Sequence, residues 1–203
     1  MKRLRTWVAA TIVILLTTTL PAAAADSRGR FSVKGVGTAT CQQYVDAAKG
    51  QDTSLLLFAG YLAGYVTAYN QLTEDTFDVL PWQDTETLLA MLEVYCNKHP
   101  ETNFAAVAGL LMKVFQPKRL NAAADIVEIP GTERPMRVYK ETVNRIQRRL
   151  TDLGHYSGPV TGAWDSTTQA ALQKFQKDRK LPESGLPDQQ TLFALLSMDK
   201  AGP

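Results

Sequence analysis

Apolar residues recur at helical spacing through most of the chain. Two series in its middle are clear: Leu88, Leu89, Met91, Leu92 and Tyr95, then Phe104, Val107, Leu110, Leu111 and Val114. This spacing places the apolar side chains of each series on one face of an α-helix. Asp84 precedes the first series as a helix cap, and Pro100 and Pro117 follow the two series, where helices usually end. Together with two earlier helical segments, the pattern predicts a helical domain over residues 31–120.

The segment Thr53–Thr73 has no charged residue and contains Gly60-x-x-x-Gly64, a small-residue spacing typical of membrane helix dimers. Polar residues interrupt it, so about fifteen residues are convincingly apolar, fewer than the roughly 20 that span a bilayer. We therefore expect a buried central helix and no stable membrane insertion. In such a helix, the two glycines let a neighbouring backbone approach closely.

In the last third of the chain a glycine, an aspartate and a threonine recur at one spacing, as Gly162-x-x-Asp165-x-x-Thr168 and, 23 residues later, as Gly185-x-x-Asp188-x-x-Thr191. Apolar residues at helical spacing follow each copy. The aspartate can cap a helix by accepting its free N–H groups, and the glycine allows the tight turn before it. With one more helix over residues 139–153, the repeat predicts a three-helix bundle.

The bundle segment resembles the peptidoglycan-binding domain that is often joined to cell-wall hydrolases. Among the residues that carry the resemblance are Val143-x-x-Ile146-Gln147-x-x-Leu150-x-x-Leu153-Gly154, Phe175-Gln176, Leu181 and Thr191-x-x-x-Leu195. Thr161 and Ser184 depart from it, because the family usually has an aspartate before each loop glycine. The resemblance implies a three-helix peptidoglycan-binding domain over residues 137–200, with peptidoglycan as partner.

Binding to glycan or stem peptide needs exposed groups that rigid loops hold in place. The loop after the first bundle helix offers such groups, and a glutamine of the next helix could reach the same edge. The predicted peptidoglycan-binding residues are His155, Tyr156, Ser157, Thr161, Gly162, Trp164 and Gln176. The two aromatic residues could equally cap the bundle, and the histidine could be a solvated loop residue. A basic run covers a solvated face or meets acidic stem peptides: Arg145, Arg148 and Arg149.

Residues 1–25 have the pattern of a cleaved secretory signal peptide. Lys2, Arg3 and Arg5 precede an uncharged apolar run, and Pro21 and four alanines follow it. The run is too short for a membrane anchor. We therefore expect an exported, soluble, periplasmic protein.

Cys41 and Cys96 are the two cysteines of the chain. In an exported protein an even number favours a disulfide, here worth about 4 kcal/mol in the chain-entropy model. Two other interpretations are a Cys96 nucleophile with His99 and a metal site that also includes His155. A thiol nucleophile needs a base that a third group orients, and zinc usually has closely spaced ligand pairs. We predict the disulfide, with no metal and no cofactor.

Three motifs of the first domain form a second resemblance: Cys41-x-x-Tyr44, Phe58-x-Gly60-Tyr61-x-x-Gly64-Tyr65 and Leu92-x-x-Tyr95-Cys96-x-x-His99-Pro100. They are similar to small exported helical proteins of the HdeA-type acid-stress chaperone and Rap/Tai-type immunity groups. The resemblance implies a disulfide-linked helical domain that acts by contact with a protein partner. The residues predicted at that contact are Tyr61, Tyr65, Tyr69 and Trp82. The tyrosines, four residues apart, form one stripe that suits either the core or a contact surface.

Charge excludes one class of partner. Three of the 22 basic residues and none of the 20 acidic residues lie in residues 1–25, so the exported chain carries one more acid than base. Such a chain has no electrostatic reason to bind nucleic acid or an anionic bilayer. Residues 121–136 contain Ala122–Ala124, Pro130-Gly131 and Pro135, and they are predicted to be a linker between the two domains with one extended patch, Ile126–Ile129.

The sequence thus predicts an all-α, two-domain, exported protein that binds peptidoglycan and a protein partner without catalysis, and no catalytic residue is assigned. The alternative is a small cell-wall hydrolase or lytic transglycosylase that its C-terminal domain directs to the wall. A zinc hydrolase needs several His or carboxylate ligands, whereas the two histidines lie one in each domain. A transglycosylase with a single acid would use Glu86 or Glu93.

Overall fold

The computed structural model describes residues 25–50, 53–131 and 135–197. The chain divides into a short unit, Met1–Ser32, and a larger unit, Val33–Pro203. The predicted signal peptide, apart from its last residue, lies outside the described residues. In the described part of the short unit, the Asp26 carboxylate accepts backbone hydrogen bonds from Arg28 and Arg30, at 2.9 and 2.8 Å.

Four α-helices form the N-terminal half of the larger unit, which we define as residues 33–120. They are α1 (Cys41–Gly50), α2 (Ser54–Leu72), α3 (Thr85–Cys96) and α4 (Phe104–Phe115), with 3₁₀ turns at Gly35–Thr38 and Gln116–Lys118. Asp84 and Asn103 cap α3 and α4, because each side chain accepts a backbone N–H of the first turn. The helical prediction for this half is confirmed.

The predicted disulfide between Cys41 and Cys96 is present and joins the start of α1 to the end of α3. Beside it three aromatic rings pack with centroids 4.9 to 5.2 Å apart: Tyr44, Phe58 and Phe104. The Tyr44 hydroxyl donates to the backbone carbonyl of Leu89 at 2.7 Å, and burial raises the pKa of this tyrosine. A covalent link and an aromatic core therefore hold the N-terminal half together.

The two glycines of α2 lie at the surface, so the prediction that they admit a neighbouring backbone is wrong. A Cβ atom at Gly60 or Gly64 would meet nothing within 4 Å. The close approach is at Gly37 instead, where the ring of Tyr61 occupies the space of a side chain. The tyrosines of α2 face its neighbours, because their large rings bury more apolar area than a glycine can.

Two strands and three helices form the C-terminal half, which we define as residues 121–197. They are β1 (Ile126–Ile129), β2 (Met136–Tyr139), α5 (Lys140–Asp152), α6 (Ser166–Asp178) and α7 (Gln189–Leu196). The strands pair antiparallel, with Ile126 opposite Tyr139. The extended patch expected at Ile126–Ile129 is present as β1. Its partner β2 was not expected, so the all-α prediction left out this small sheet, because a strand of four residues is too short for a clear alternation of polar and apolar positions.

The two halves contact each other at the start of α3, through the segment before it, and at the 3₁₀ turn after α4. The side-chain amide of Gln189 donates to the carbonyl oxygen of Trp82 at 2.6 Å and accepts from the hydroxyl of Thr87 at 2.9 Å. The indole of Trp82 packs against the apolar core of α5, α6 and α7. Arg145 also donates to the backbone carbonyl of Lys118 at 2.6 Å. These contacts create clefts whose walls come from both halves.

Candidate functional site

A buried glutamine of α5 holds the loop between α5 and α6. The Oε1 atom of Gln147 accepts the backbone N–H groups of Thr161 and Gly162, at 3.0 and 2.9 Å. Its Nε2 atom donates to the carbonyl of Ala163 at 2.9 Å and to the hydroxyl of Thr168 at 3.0 Å. Gln147 is fully buried. Because water cannot replace these bonds, they fix the path of the loop.

Gln176 of α6 holds the loop between α6 and α7 in the same way. Its Oε1 atom accepts the N–H of Gly185 at 2.7 Å, and its Nε2 atom donates to the carbonyl of Leu186 and the hydroxyl of Thr191, both at 3.0 Å. The internal repeat therefore includes a glutamine on the preceding helix. Gln176 is fully buried, so it positions its loop and presents no surface to a ligand.

Hydroxyl groups replace the aspartates that the family pattern has before each loop glycine. The Thr161 hydroxyl accepts the N–H of Ala163 at 3.2 Å, and the Ser184 hydroxyl accepts the N–H of Leu186 at 3.1 Å. An aspartate at either place would accept the same N–H two residues on. The departure from the pattern therefore preserves the turn in both loops.

The two predicted aspartate caps are present. Asp165 accepts the N–H of Thr168 at 2.7 Å, and Asp188 accepts the N–H of Thr191 at 2.8 Å. The Thr191 hydroxyl returns a bond to its cap at 3.0 Å. The backbone hydrogen bond from Thr168 stabilises the ionised carboxylate and lowers the pKa of Asp165. Both loops are thus fixed at their glycine and at the start of the following helix.

The first loop is longer than the second. The buried glutamine precedes its loop glycine by 15 residues in the first repeat and by 9 in the second. Three of the six additional residues lie between the glutamine and the residue of positive φ that follows each helix. Gly154, with a φ of 77°, lies seven residues after Gln147, whereas Lys180, with a φ of 58°, lies four residues after Gln176. The other three lie in the loop itself, where residues 155–161 correspond to residues 181–184 of the second loop. The first loop is therefore three residues longer than the second.

The predicted peptidoglycan-binding residues differ in exposure. The exposed residues are Ser157 and Thr161, the partly exposed ones are His155 and Trp164, and the buried ones are Tyr156, Gly162 and Gln176. Tyr156 belongs to the bundle core, and its hydroxyl donates to the carbonyl of Pro159 at 2.9 Å. The His155 ring meets the edge of Phe175, and its Nε2 atom lies 3.7 Å from a carboxylate oxygen of Asp178.

Val160 is an exposed apolar residue of this loop that the sequence analysis did not select. Its side chain is 42% exposed, next to the exposed Thr161. The repeat pattern does not encode the direction of a side chain within a loop, so no sequence signal marked it. The outer part of the loop therefore carries an apolar group and the hydroxyls of Ser157 and Thr161.

The predicted partner-binding residues of the N-terminal half are partly buried. Tyr61, Tyr65 and Tyr69 pack against the edge of the N-terminal core, and burial raises the pKa of the first two. The Tyr65 hydroxyl lies against Gly109 of α4. Trp82 packs against the bundle core of the same chain. Contact with a protein partner stays a prediction for all four residues.

The disulfide removes the two other interpretations of the cysteines. Cys41 and Cys96 are bonded to each other, so neither is a free nucleophile or metal ligand in this structure. Within residues 25–50, 53–131 and 135–197, no group of three or more His, Cys, Asp or Glu side chains is placed to hold a metal ion. In the same ranges, no helix combines the length and apolarity needed to cross a membrane.

Comparisons with known proteins agree with both resemblances. Residues 139–195 match a family described as "Putative peptidoglycan binding domain", and residues 7–106 match the HdeA/HdeB family. Over 49 residues, 24% of its length, the chain is 45% identical to the "Putative OxPP cycle protein OpcA" of Nostoc punctiforme, and it spans 10% of that protein. No solved structure is significantly similar to the chain. The chain therefore has a segment similar to the HdeA/HdeB family, followed by a segment similar to a peptidoglycan-binding domain.

Proposed function

We propose that this protein is an exported, non-enzymatic peptidoglycan-binding protein of the periplasm. Its C-terminal half binds the cell wall, and its N-terminal half binds a protein partner in the manner of a chaperone or an immunity protein. The matches to a peptidoglycan-binding domain and to the HdeA/HdeB family support a location in the cell envelope.

The observation that carries the wall-binding proposal is the fixed loop after α5. Gln147 holds its last residues, Thr161 to Ala163, and the buried Tyr156 holds its middle through the carbonyl of Pro159. A fixed loop loses little conformational entropy when a ligand binds, so its exposed groups are effective contacts. The exposed residues of this loop include Ser157, Val160 and Thr161. Hydroxyls beside an apolar group suit the hydroxyls and carbon faces of a glycan.

Cosedimentation with purified wall sacculi tests this proposal. We expect the full chain to sediment with sacculi and Val160→Asp to bind about tenfold more weakly, because a charge would then replace an apolar contact. Phe193→Asp is the matched control, since Phe193 of α7 is 46% exposed and lies outside the loop. Equal binding by the Val160→Asp variant and the wild type would place the contact elsewhere, and no sedimentation of the wild type would refute wall binding.

The outer face of α2 supports a protein contact for the N-terminal half. Leu56 and Leu57 are 72% and 61% exposed, and the exposed glycines Gly60 and Gly64 continue the same uncharged helix. Exposed apolar surface of this kind often marks an interaction site. None of the main cavities in the described residues is lined by Leu56, Leu57, Gly60 or Gly64, so the face suits contact with another protein better than capture of a small molecule.

A client-protection assay tests the partner proposal. The full chain should suppress aggregation of an acid-denatured model protein, and Leu56→Glu with Leu57→Glu should weaken that suppression several-fold, because two charges would then interrupt the apolar face. Val114→Glu is the control, because Val114 of α4 is 59% exposed in the same half. If the wild type protects no client at any pH, the chaperone-like role is refuted. The immunity-like role, in which the N-terminal half binds one specific protein, would then be the role to test.

The alternative function is that of a cell-wall hydrolase, and an open cleft with two acidic residues favours it. Asp84 and Glu86 line an open cleft of about 530 Å³ beside Met91, Val94 and Phe193. However, Glu86 is exposed, whereas a general acid of a glycosidase works from a desolvated environment. If the wild type clears a suspension of sacculi and the Glu86→Gln variant does not, the non-enzymatic proposal is refuted in favour of a hydrolase.

A further inference from the structure

The open cleft of about 530 Å³ is a groove between α3 and α7, one helix from each half. Its apolar walls are Ala90, Met91 and Val94 of α3 and Phe193 of α7. Val94 is 64% exposed, and Phe193 is 46% exposed. Contiguous exposed apolar side chains in a concave surface are typical of a binding site. The groove therefore offers apolar surface for a ligand to cover.

Gln189 joins the starts of the two helices that form the groove. Its Oε1 atom accepts from the hydroxyl of Thr87 at 2.9 Å and from the backbone N–H of Asp84 at 3.3 Å. Its Nε2 atom donates to the carbonyl of Trp82 at 2.6 Å. These bonds hold α3 and α7 in position before a ligand arrives, which reduces the entropy lost on binding.

The shape of the groove favours a helical ligand. Its lining on α3 extends from Thr87 to Val94, seven residues or about 10 Å of helix. A helix with apolar side chains at positions i, i+3 or i+4, and i+7 presents a stripe of the same length. The described lining residues belong to α3 or α7, or cap α3 as Asp84 does, so this part of the chain offers a peptide no strand edge to extend.

The end of the groove at the start of α3 is acidic. Asp84 and Glu86 line it, and the described lining residues include no Lys or Arg. Two carboxylates attract a cationic side chain and repel an anionic lipid surface. A symmetric dimer through this groove would bring the acids of one copy against those of the other. The charge therefore favours a different protein with a basic residue over a membrane or a second copy.

We propose that this groove binds an amphipathic α-helix of another protein. A basic side chain of that helix lies next to Asp84 and Glu86, and its apolar side chains pack against Met91, Val94 and Phe193. The site goes beyond the proposed function, because it is separate from the outer face of α2 and from the loop after α5. Both halves of the chain are needed to form it.

The test measures binding of labelled synthetic peptides to the full chain by fluorescence anisotropy. The first peptide is a helix of about 14 residues, or about four turns, with leucines along one face and an arginine at each end of that face. The second has glutamates in place of the arginines. The third has the composition of the first, with its leucines distributed around the helix. The arginines at both ends allow either direction of binding.

Two variants of the groove are matched with two controls. Val94→Asn makes the apolar wall polar without adding charge, and Val114→Asn is its control, because Val114 of α4 is 59% exposed and does not line the groove. Glu86→Arg cancels the charge of the acidic end, and Glu74→Arg is its control at an exposed position after α2. Thermal unfolding of each variant checks that the fold is intact.

We expect the wild type to bind the first peptide about tenfold more tightly than the second or the third. Val94→Asn should bind the first peptide about fivefold more weakly than the wild type, and Glu86→Arg should lose the preference for arginine over glutamate. Both controls should bind like the wild type.

Three results would overturn the groove as a site for a basic amphipathic helix. The first is a wild type that binds the three peptides equally or binds none of them. The second is binding by Val94→Asn and Glu86→Arg that equals binding by their controls. The third comes from sedimentation velocity without peptide: a wild-type dimer that Val94→Asn abolishes would mean that a second copy occupies the groove. Since no peptide contains peptidoglycan, each of these results leaves wall binding untouched.

Discussion

The two halves of the larger unit hold their helices by different means. In the N-terminal half the disulfide Cys41–Cys96 links α1 to α3 beside a cluster of aromatic rings. In the C-terminal half, which has no cysteine, the buried amides of Gln147 and Gln176 bind the two loops to the helices. A covalent link responds to redox conditions, whereas a buried hydrogen-bond network depends on the shape and polarity of each member.

This difference corresponds to the two contact surfaces that we propose. The disulfide and the apolar core fix helices, so the N-terminal half presents the face of a helix, α2. The buried amides fix loops, so the C-terminal half presents the side chains of a loop, Ser157, Val160 and Thr161. If each half depends on its own stabilising interactions, a substitution that removes them from one half should leave the other half folded.

The largest effect is expected from removal of the disulfide. Cys41→Ser with Cys96→Ser should lower the free energy of unfolding of the N-terminal half by about 4 kcal/mol, because the bond closes a loop with a sequence separation of 55 residues. Hydrogen exchange read by mass spectrometry should show faster exchange in α1 and α3 and unchanged protection in α5 to α7. Cosedimentation with purified wall sacculi should also persist. Loss of protection in both halves together would show that the halves unfold as one.

Removal of a buried glutamine amide should destabilise the C-terminal half. Gln147→Leu should lower the free energy of unfolding by about 3 kcal/mol, because it leaves buried backbone N–H groups and the Thr168 hydroxyl without partners. Gln176→Leu should have a similar effect. The matched control is Gln173→Leu on the exposed side of α6, which should cost a few tenths of a kcal/mol. Urea unfolding curves of the three variants check this order, and an equal cost for all three would refute the role given to the buried amides.

Local signals in the sequence predicted much of this fold. The aspartates Asp84, Asp165 and Asp188 cap helices as expected, because a cap needs only a carboxylate and an N–H three residues on. The pairing of Cys41 with Cys96 followed from export and an even count. Such signals depend on neighbours in sequence or on a single pair, so a pattern is sufficient to find them.

Features that depend on packing were missed. The spacing of Gly60 and Gly64 indicates a close contact only if a neighbour covers that face, and none does here. Gln147 stood in a family motif without an assigned role, because its partners lie 14 to 21 residues later, in a loop whose path the sequence did not reveal. For the same reason Gln176 was predicted as a surface contact, although the fold buries it.

Glycine substitutions should separate backbone conformation from crowding. Gly154→Ala tests a positive φ alone, since a Cβ there meets nothing within 4 Å, and should cost about 1 kcal/mol. Gly185→Ala also has a positive φ and in addition places its Cβ atom 2.9 Å from the Cγ atom of Gln169, whose side chain is flexible. Gly162→Ala also meets a backbone oxygen of Lys140 at 2.9 Å, so it should cost about 2 kcal/mol or more. Thermal unfolding should rank the variants in this order, and an equal cost for all three would mean that crowding of the loop against α5 has no effect.

The smallest effect is a pH dependence at one helix cap. The pKa of Asp165 is lower in the folded state than its usual 3.8, because its carboxylate accepts the N–H of Thr168. The stabilisation is therefore present above about pH 3.8 and is lost as the pH falls through the folded pKa. Since the carboxylate is exposed, screening by water keeps it at about 0.5 kcal/mol. Asp165→Asn should be less stable than the wild type by that amount at pH 7 and equal to it near pH 2, whereas Asp46→Asn on the exposed side of α1 should leave the bundle unchanged at both pH values. A difference between Asp165→Asn and the wild type that stays constant down to pH 2 would mean that the cap acts through its shape and not through its charge.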